Sequence, residues 1–454
     1  MLPNDGRLTL ASLRHISLLD REGARIVGAV PRESPSLADV TGKDEHDRLR
    51  KELAASIRTE PSFKEILAAD KLPPDFSFDE SAGLVLHSTH RRAGDADFYF
   101  VANASPIAGS VECTFRVAGN APELWRPDTC AMEPCSVYEQ SNGTTRIPPH
   151  FDPAGSVFVV FRSDRAKPHA TAISCIDPLA PGKTSELAGS PSSLWSDGIS
   201  LELHAWQSGR YEVAFPNQNK RLIDTGSVPA PQTIGGPWSL EFPVGWGAPA
   251  KLDLDKLVSW PEYPDAGVRY FSGTATYKTT FEAGKVDSDC RLFLDLGRVE
   301  VIAEVWLNGT SLGTLWKPLF ICEVTGLLRA KANNLEVRVT NLWPNRLIGD
   351  EQFPDDCTAD GSWKKGVIPA WPEWLKNSKA RPEPHRLTFC TWKHWSGDDT
   401  PLPSGLLGPV TLKQMRNVKI VSERQCPAIY GRPAHRIRLG NWPSWRRATT
   451  TRNA

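Results

Sequence analysis

Between Trp343 and Trp374 the chain gathers side chains that could do chemistry together. Asn345 and Arg346 precede Asp350-Glu351, Asp355-Asp356 follow, and Trp363, Trp371 and Trp374 come after them. Carboxylates accept hydrogen bonds, a guanidinium donates them, an amide does both, and flat indole faces cover C–H surfaces. That is the inventory of a sugar-contacting loop. The same carboxylates offer hard oxygen ligands to Ca²⁺, but the interval lacks the regular alternation of a calcium loop, so no metal is assigned. A structural reading stands beside both: Asn341 and Asn345 cap or turn the chain, and Arg346 pairs with Asp350.

Two further clusters carry polar and aromatic groups. Thr391-Trp-Lys-His-Trp395, with Asp398-Asp399, is read as a strand placing Trp392 opposite Lys393 and Trp395. His394 lacks a placed partner carboxylate, so an acid–base role has no support. His90-Arg91-Arg92 with Asp95 and Asp97 is read as salt-bridge packing. The expected carbohydrate contacts are therefore Trp343, Asn345, Arg346, Asp350, Trp392 and His394, with no catalytic residue, metal or cofactor.

The elements that must position these groups are mostly strands. Gly273–Phe281, Arg291–Leu296, Val301–Gly313 and Asn334–Asn341 alternate apolar and polar residues, with Val305 and Leu307 on one face and Trp306 on the other. Asn308-Gly309 supplies the two positive-φ residues of a type I′ hairpin. Earlier strands are expected at Leu84–His87, Asp97–Ala102, Ser110–Val117, Ser156–Arg162, Gly198–His204, Gly209–Phe215 and Trp238–Phe242, with Ala121–Asp128 as a loop. The first residues differ: Leu8–Asp20, Asp44–Ile57 and Ser62–Ala69 have helical spacing around a short strand at Arg25–Val30. The fold class is mainly β, with two antiparallel β-sandwiches (residues 79–235 and 236–414) after a partial α/β segment (1–78). Residues 415–454, rich in Arg, Pro and Trp after Cys426, are expected to be a disordered tail.

Composition narrows the partners. Among 454 residues, 53 Lys and Arg balance 53 Asp and Glu, so no net field draws the chain to nucleic acid or anionic lipid. No apolar run approaches the roughly 20 residues of a membrane span. Nine cysteines lie scattered without metal-ligand spacing, which favours reduced thiols. Localisation stays open.

Thr276–Phe281, Val305-Trp-Leu-Asn-Gly309 and Asn333–Asn341 resemble the sugar-binding jelly-roll domain of glycoside hydrolase family 2. Asn341-Leu-Trp-Pro-Asn-Arg-Leu-Ile-Gly-Asp350, Ser404-Gly-Leu-Leu-Gly-Pro-Val410 and His90–Asn103 resemble the C-terminal half of family 106 α-L-rhamnosidases. The motifs occur in the family's order across roughly residues 2 to 412. That resemblance implies that residues 1–78 end a flavodoxin-like or amidotransferase-like domain, and that the catalytic glutamates sit on a preceding (β/α)8 barrel. The expected function is thus a carbohydrate-binding accessory region of a rhamnosidase-like hydrolase, inactive alone and separated from a missing or separate barrel. The alternatives are an autonomous carbohydrate-binding protein and a purely structural β-sandwich module.

Overall fold

The computed structural model describes residue 2 and residues 6–58, 63–69, 71–163, 168–178, 192–196, 200–216, 218–358, 363 and 366–420. Residues 421–454, the greater part of the expected tail, lie outside the described residues. The chain is mainly β, built from antiparallel sheets with few helices.

The first residues form helices Leu10–Arg21, Lys43–Ala54 and Phe63–Ala69. Thr9 caps the first helix through the Ser12 amide, and Leu10, Leu13, Leu49 and Leu53 close a small core. The expected strand at Arg25–Val30 is reduced to parallel bridges, Arg7 with Glu33 and Val27 with Arg58. Three extended segments thus run side by side, an α/β arrangement in miniature.

The next sheet orders its strands as Leu86–Ala93, Ala96–Asn103, Ser156–Ser163, Ala121–Arg126 and Ala131–Pro134. It packs Tyr99, Val101, Val159 and Phe161 onto Cys113, Phe115 and Ile147 of a second sheet. Ala121–Arg126 is a strand here, not the expected loop. Pro122 has no amide to donate, but it stands opposite Phe161 where the register shifts, and its carbonyl accepts from the Cys135 amide. The expected strand at Ser110–Val117 is split into Gly109–Ser110 and Cys113–Phe115.

Residues after 168 depart from the expected continuation of that sandwich. Ala172–Pro178, Gly209–Ala214 and Lys220–Asp224 make a separate three-stranded sheet. Leu201–Ala205 instead joins the long strand Thr411–Ile420, so Leu203, Tyr211, Val213 and Ile420 share a core. The last strand also runs past the expected boundary at 414. Alternation alone could not choose between sheets, because both offer a buried face of the same period.

The largest core lies between two sheets. One is ordered Lys251–Leu254, Trp238–Glu241, Thr274–Phe281, Asn333–Thr340, Ile302–Leu307 and Thr310–Leu315. Facing it are Ser192–Ser196, Leu201–Ala205, Thr411–Ile420, Cys290–Asp295 and Ile321–Glu323. Ala275, Val305, Leu307, Val337 and Val339 point inward, while Trp306 faces out under Arg338, 4.1 Å from its ring centre. Asn308 and Gly309 take φ of 53° and 84°, the hairpin geometry the sequence demanded.

Lys317 ties this sandwich to the preceding one. Its Nζ lies 2.6 Å from both Asp128 and Asp152. Burial pulls the Lys317 ammonium down, but hydrogen bonds to the two carboxylates outweigh it and the net shift is upward. Asp128 is likewise penalised by burial, yet Lys317 holds it below the usual carboxylate value. A depressed carboxylate contributes stability above its unfolded value near 3.9 and loses it as pH falls; a raised ammonium contributes below about 10.4 and loses it as pH rises. Lys317→Met should therefore cost about 2 kcal/mol in urea denaturation from about pH 5 to 9, with the deficit shrinking below about pH 3.5. A deficit independent of pH would assign the loss to packing instead.

Candidate functional site: the 341–404 loop system

The described residues between Asn341 and Ser404 are tied by hydrogen bonds to one another and to the sandwich core. The buried Trp260 indole donates to the Tyr277 hydroxyl at 2.6 Å, and that hydroxyl also accepts from the Leu406 amide at 3.1 Å. Ser404 lies next to this pair. Its amide reaches Ser259 Oγ, and its hydroxyl accepts from Asn341 Nδ2 at 3.0 Å and Asn345 Nδ2 at 2.9 Å. Asn345 also takes the Leu402 amide and gives back to the Leu402 carbonyl. The 341–350 and 404–410 motifs therefore meet in a single buried network. Gly405 sits inside it with φ of 103°; a Cβ there would stand 2.6 Å from the Tyr277 hydroxyl and 2.7 Å from the Trp260 indole nitrogen.

Helix Pro344–Asp350 begins on a proline and puts Arg346 and Asp350 on one face. Arg346 Nε lies 2.9 Å from Asp350 Oδ1, an ion pair outside hydrogen-bond angles, and burial lowers the guanidinium from its ordinary value. Asp350 also accepts from the Leu387 and Thr388 amides and from Thr388 Oγ1 at 2.6 Å. Glu351 pairs with Arg386 and Lys393. Arg386 in turn donates to the Phe353 and Pro354 carbonyls.

Asp355 and Asp356 are equally engaged. Burial would raise Asp355, but hydrogen bonds from Thr358, the Cys357 amide and the Trp363 indole hold it below its ordinary value. Asp356 receives Arg381 through two nitrogens at 2.5 and 3.0 Å, and Arg381 spends its remaining donor on the Arg386 and Thr388 carbonyls. Burial pushes the Cys357 thiol up to about 12. Asp355, Asp356 and Cys357 come within metal-ligand range of one another. A neutral thiol and a carboxylate filled by arginine nevertheless make a poor ligand set.

The expected contact residues thus divide. Asn345, Arg346 and Asp350 are 1%, 5% and 2% exposed; the Asn345 amide and the Asp350 carboxylate are hydrogen-bonded within the chain, and Arg346 is ion-paired to Asp350. Trp343 is half exposed and leans on Trp246. Trp392 and His394 are exposed and stack with ring centres 4.9 Å apart. They do not sit on a strand as expected: residues 391–395 make one bridge, Trp392 with Val367. The cavity behind them, lined by Asp350, Glu351, Trp392 and His394, holds about 30 Å³, room for water and not for a pyranose.

A larger depression shares Cys357 with that cavity. Its volume is about 800 Å³, within the range of small-molecule sites, and Asp355, Asp356, Trp371, Glu373, Trp374 and Glu383 line it. Trp371 is 56% exposed, and one face stacks on Phe389. Trp374 is fixed by its indole bond to the Asp356 carbonyl and by Arg381 over its ring. Trp371 and Trp374 were singled out in the sequence as aromatic company for the acids. What the sequence could not tell was that the acids are consumed internally while the aromatics open outward.

Elsewhere His90 lies between Asp75 and Asp97, at 3.0 and 2.9 Å, and stacks on Tyr99. Of the expected group, Arg92 Nε also comes within 3.9 Å of Asp97.

Residues 1–140 match the family model of α-L-rhamnosidases, glycoside hydrolase family 106. A rhamnosidase structure from Novosphingobium sp. PP1Y is 30% identical, with a TM-score of 0.61, over 90% of this chain and 33% of its own. A protein of Formosa agariphila named "Putative beta-glucuronidase" is 27% identical over 91% of this chain and 50% of its length. The chain thus spans half the length of that curated relative and a third of the solved rhamnosidase.

Two substitutions test the network. Gly405→Ala should lower stability by about 3 kcal/mol, from overpacking and a backbone conformation closed to alanine, read as a shift in the urea midpoint. Asp350→Asn should cost about 3–5 kcal/mol by leaving Arg346 uncompensated. Asp398→Asn, on the exposed loop, should change stability by less than about 0.5 kcal/mol.

Proposed function

We propose, from the match of residues 1–140 to the family model of α-L-rhamnosidases, that this chain is the carbohydrate-binding accessory region of a rhamnosidase-like glycoside hydrolase, acting with a catalytic barrel that it does not itself supply. One observation carries the reading. Every carboxylate of the 350–356 cluster is engaged by a cation or a set of hydrogen-bond donors, while Trp343, Trp371 and Trp392 face solvent. Glycoside cleavage asks for two carboxyl groups that flank a bond, about 5–5.5 Å apart for retention or 6.5–9.5 Å for inversion. Asp350 cannot hand a proton to a glycosidic oxygen without breaking the bonds that hold residues 387 and 388. Flat, exposed indoles suit the C–H faces of pyranoses and need no proton transfer.

The purified chain should release no aryl group from an aryl α-L-rhamnoside above the buffer rate, yet should be retarded in gels containing a rhamnose-rich polysaccharide. Turnover that copurifies with the chain would overturn its non-catalytic role. Unaltered migration would leave the aromatic surfaces without a carbohydrate partner.

A further inference from the structure

Resting on that reading, we propose that the groove lined by Trp371, Glu373, Trp374 and Glu383 is the glycan subsite, and that it selects neutral, deoxysugar-bearing glycans against uronic acids. The groove has a volume of about 800 Å³ and prolines on its walls, including Pro354, Pro369 and Pro372. Trp371 offers one open indole face, and the stack on Phe389, 5.9 Å between ring centres, holds the ring in place. A 6-deoxyhexose presents a methyl group and axial hydrogens, an apolar surface that gains by leaving water for such a platform.

Charge supplies the selectivity. Asp356 is balanced by Arg381 and Glu373 by Lys376, 2.6 Å away. Asp355 is held by neutral donors, the Thr358 hydroxyl, the Cys357 amide and the Trp363 indole, and keeps its negative charge. Glu383 accepts from the His385 amide and faces its ring nitrogen at 2.7 Å; the amide bond first, then the imidazole, hold it below the ordinary carboxylate value. Among the described residues of the lining Lys376 is the cation, and it is already paired. A sugar hydroxyl can donate to Glu373 or Glu383, whereas a uronate would bring a further negative charge into an acidic groove.

Titration calorimetry of the full chain with an α-L-rhamnosyl disaccharide and a glucuronic-acid disaccharide tests this. The rhamnoside should bind at least tenfold tighter than the uronate. Trp371→Ala should weaken rhamnoside binding about tenfold, Trp371→Phe should retain most of it, and Glu383→Lys should narrow the gap to the uronate. Thermal unfolding of the Trp371 variants should match the parent, because the side chain is largely exposed. Rhamnoside binding untouched by Trp371→Ala, or uronate binding equal to rhamnoside binding, would overturn the groove assignment while leaving the accessory role standing. A parent chain that binds neither sugar would overturn both.

Discussion

The Tyr277 hydroxyl is the point on which the loop system depends. It is buried, accepts from the Trp260 indole and the Leu406 amide, and burial holds its pKa far above the ordinary phenol value. Ser404 lies two residues before Leu406 and takes both asparagine amides, so the core of the sandwich and the long excursion from 341 to 404 share one set of bonds. A buried polar group left without a partner costs roughly 1–3 kcal/mol. Each member of the network therefore fixes the next. Gly405 is the only residue type that fits the space left between the phenol and the indole.

From that anchor the arrangement propagates outward by charge. Helix Pro344–Asp350 carries Arg346 and Asp350 inward, Asp350 grips residues 387 and 388, and Arg381 gathers Asp356 with the 386 and 388 carbonyls. These contacts join the described parts of a segment poor in regular structure. A loop of this length usually either serves a function or fails to order, and here paired charges supply the order that a strand ladder supplies elsewhere. Asp355 and Asp356, both held by such bonds, line the aromatic groove.

Much of the fold was legible in the sequence. Period-2 runs gave the strands of the later sandwich, Asn308-Gly309 gave its hairpin, and the helical spacing near the start gave helices within three residues of their observed ends. Pairing between distant strands was not legible. Leu201–Ala205 joins Thr411–Ile420 across more than two hundred residues, and nothing local in either segment names the other. The candidate site was half legible: residue types marked the right loop, but types do not report which way a side chain turns. Asn345, Arg346 and Asp350 have the chemistry of ligand contacts and are buried, with Asn345 and Asp350 hydrogen-bonded and Arg346 ion-paired on their own chain. The Arg346–Asp350 spacing hinted at this, since an i,i+4 ion pair is the commonest use of such a pattern.

The central claim is that the acids of this loop are scaffold and the outward tryptophans are the recognition surface. Indole N–H resonances of the labelled chain, followed while an α-L-rhamnosyl disaccharide is added, report on it most directly. The Trp371 signal should move furthest and that of buried Trp260 should stay fixed. Movement confined to Trp343 or Trp392, with Trp371 unchanged, would contradict the account.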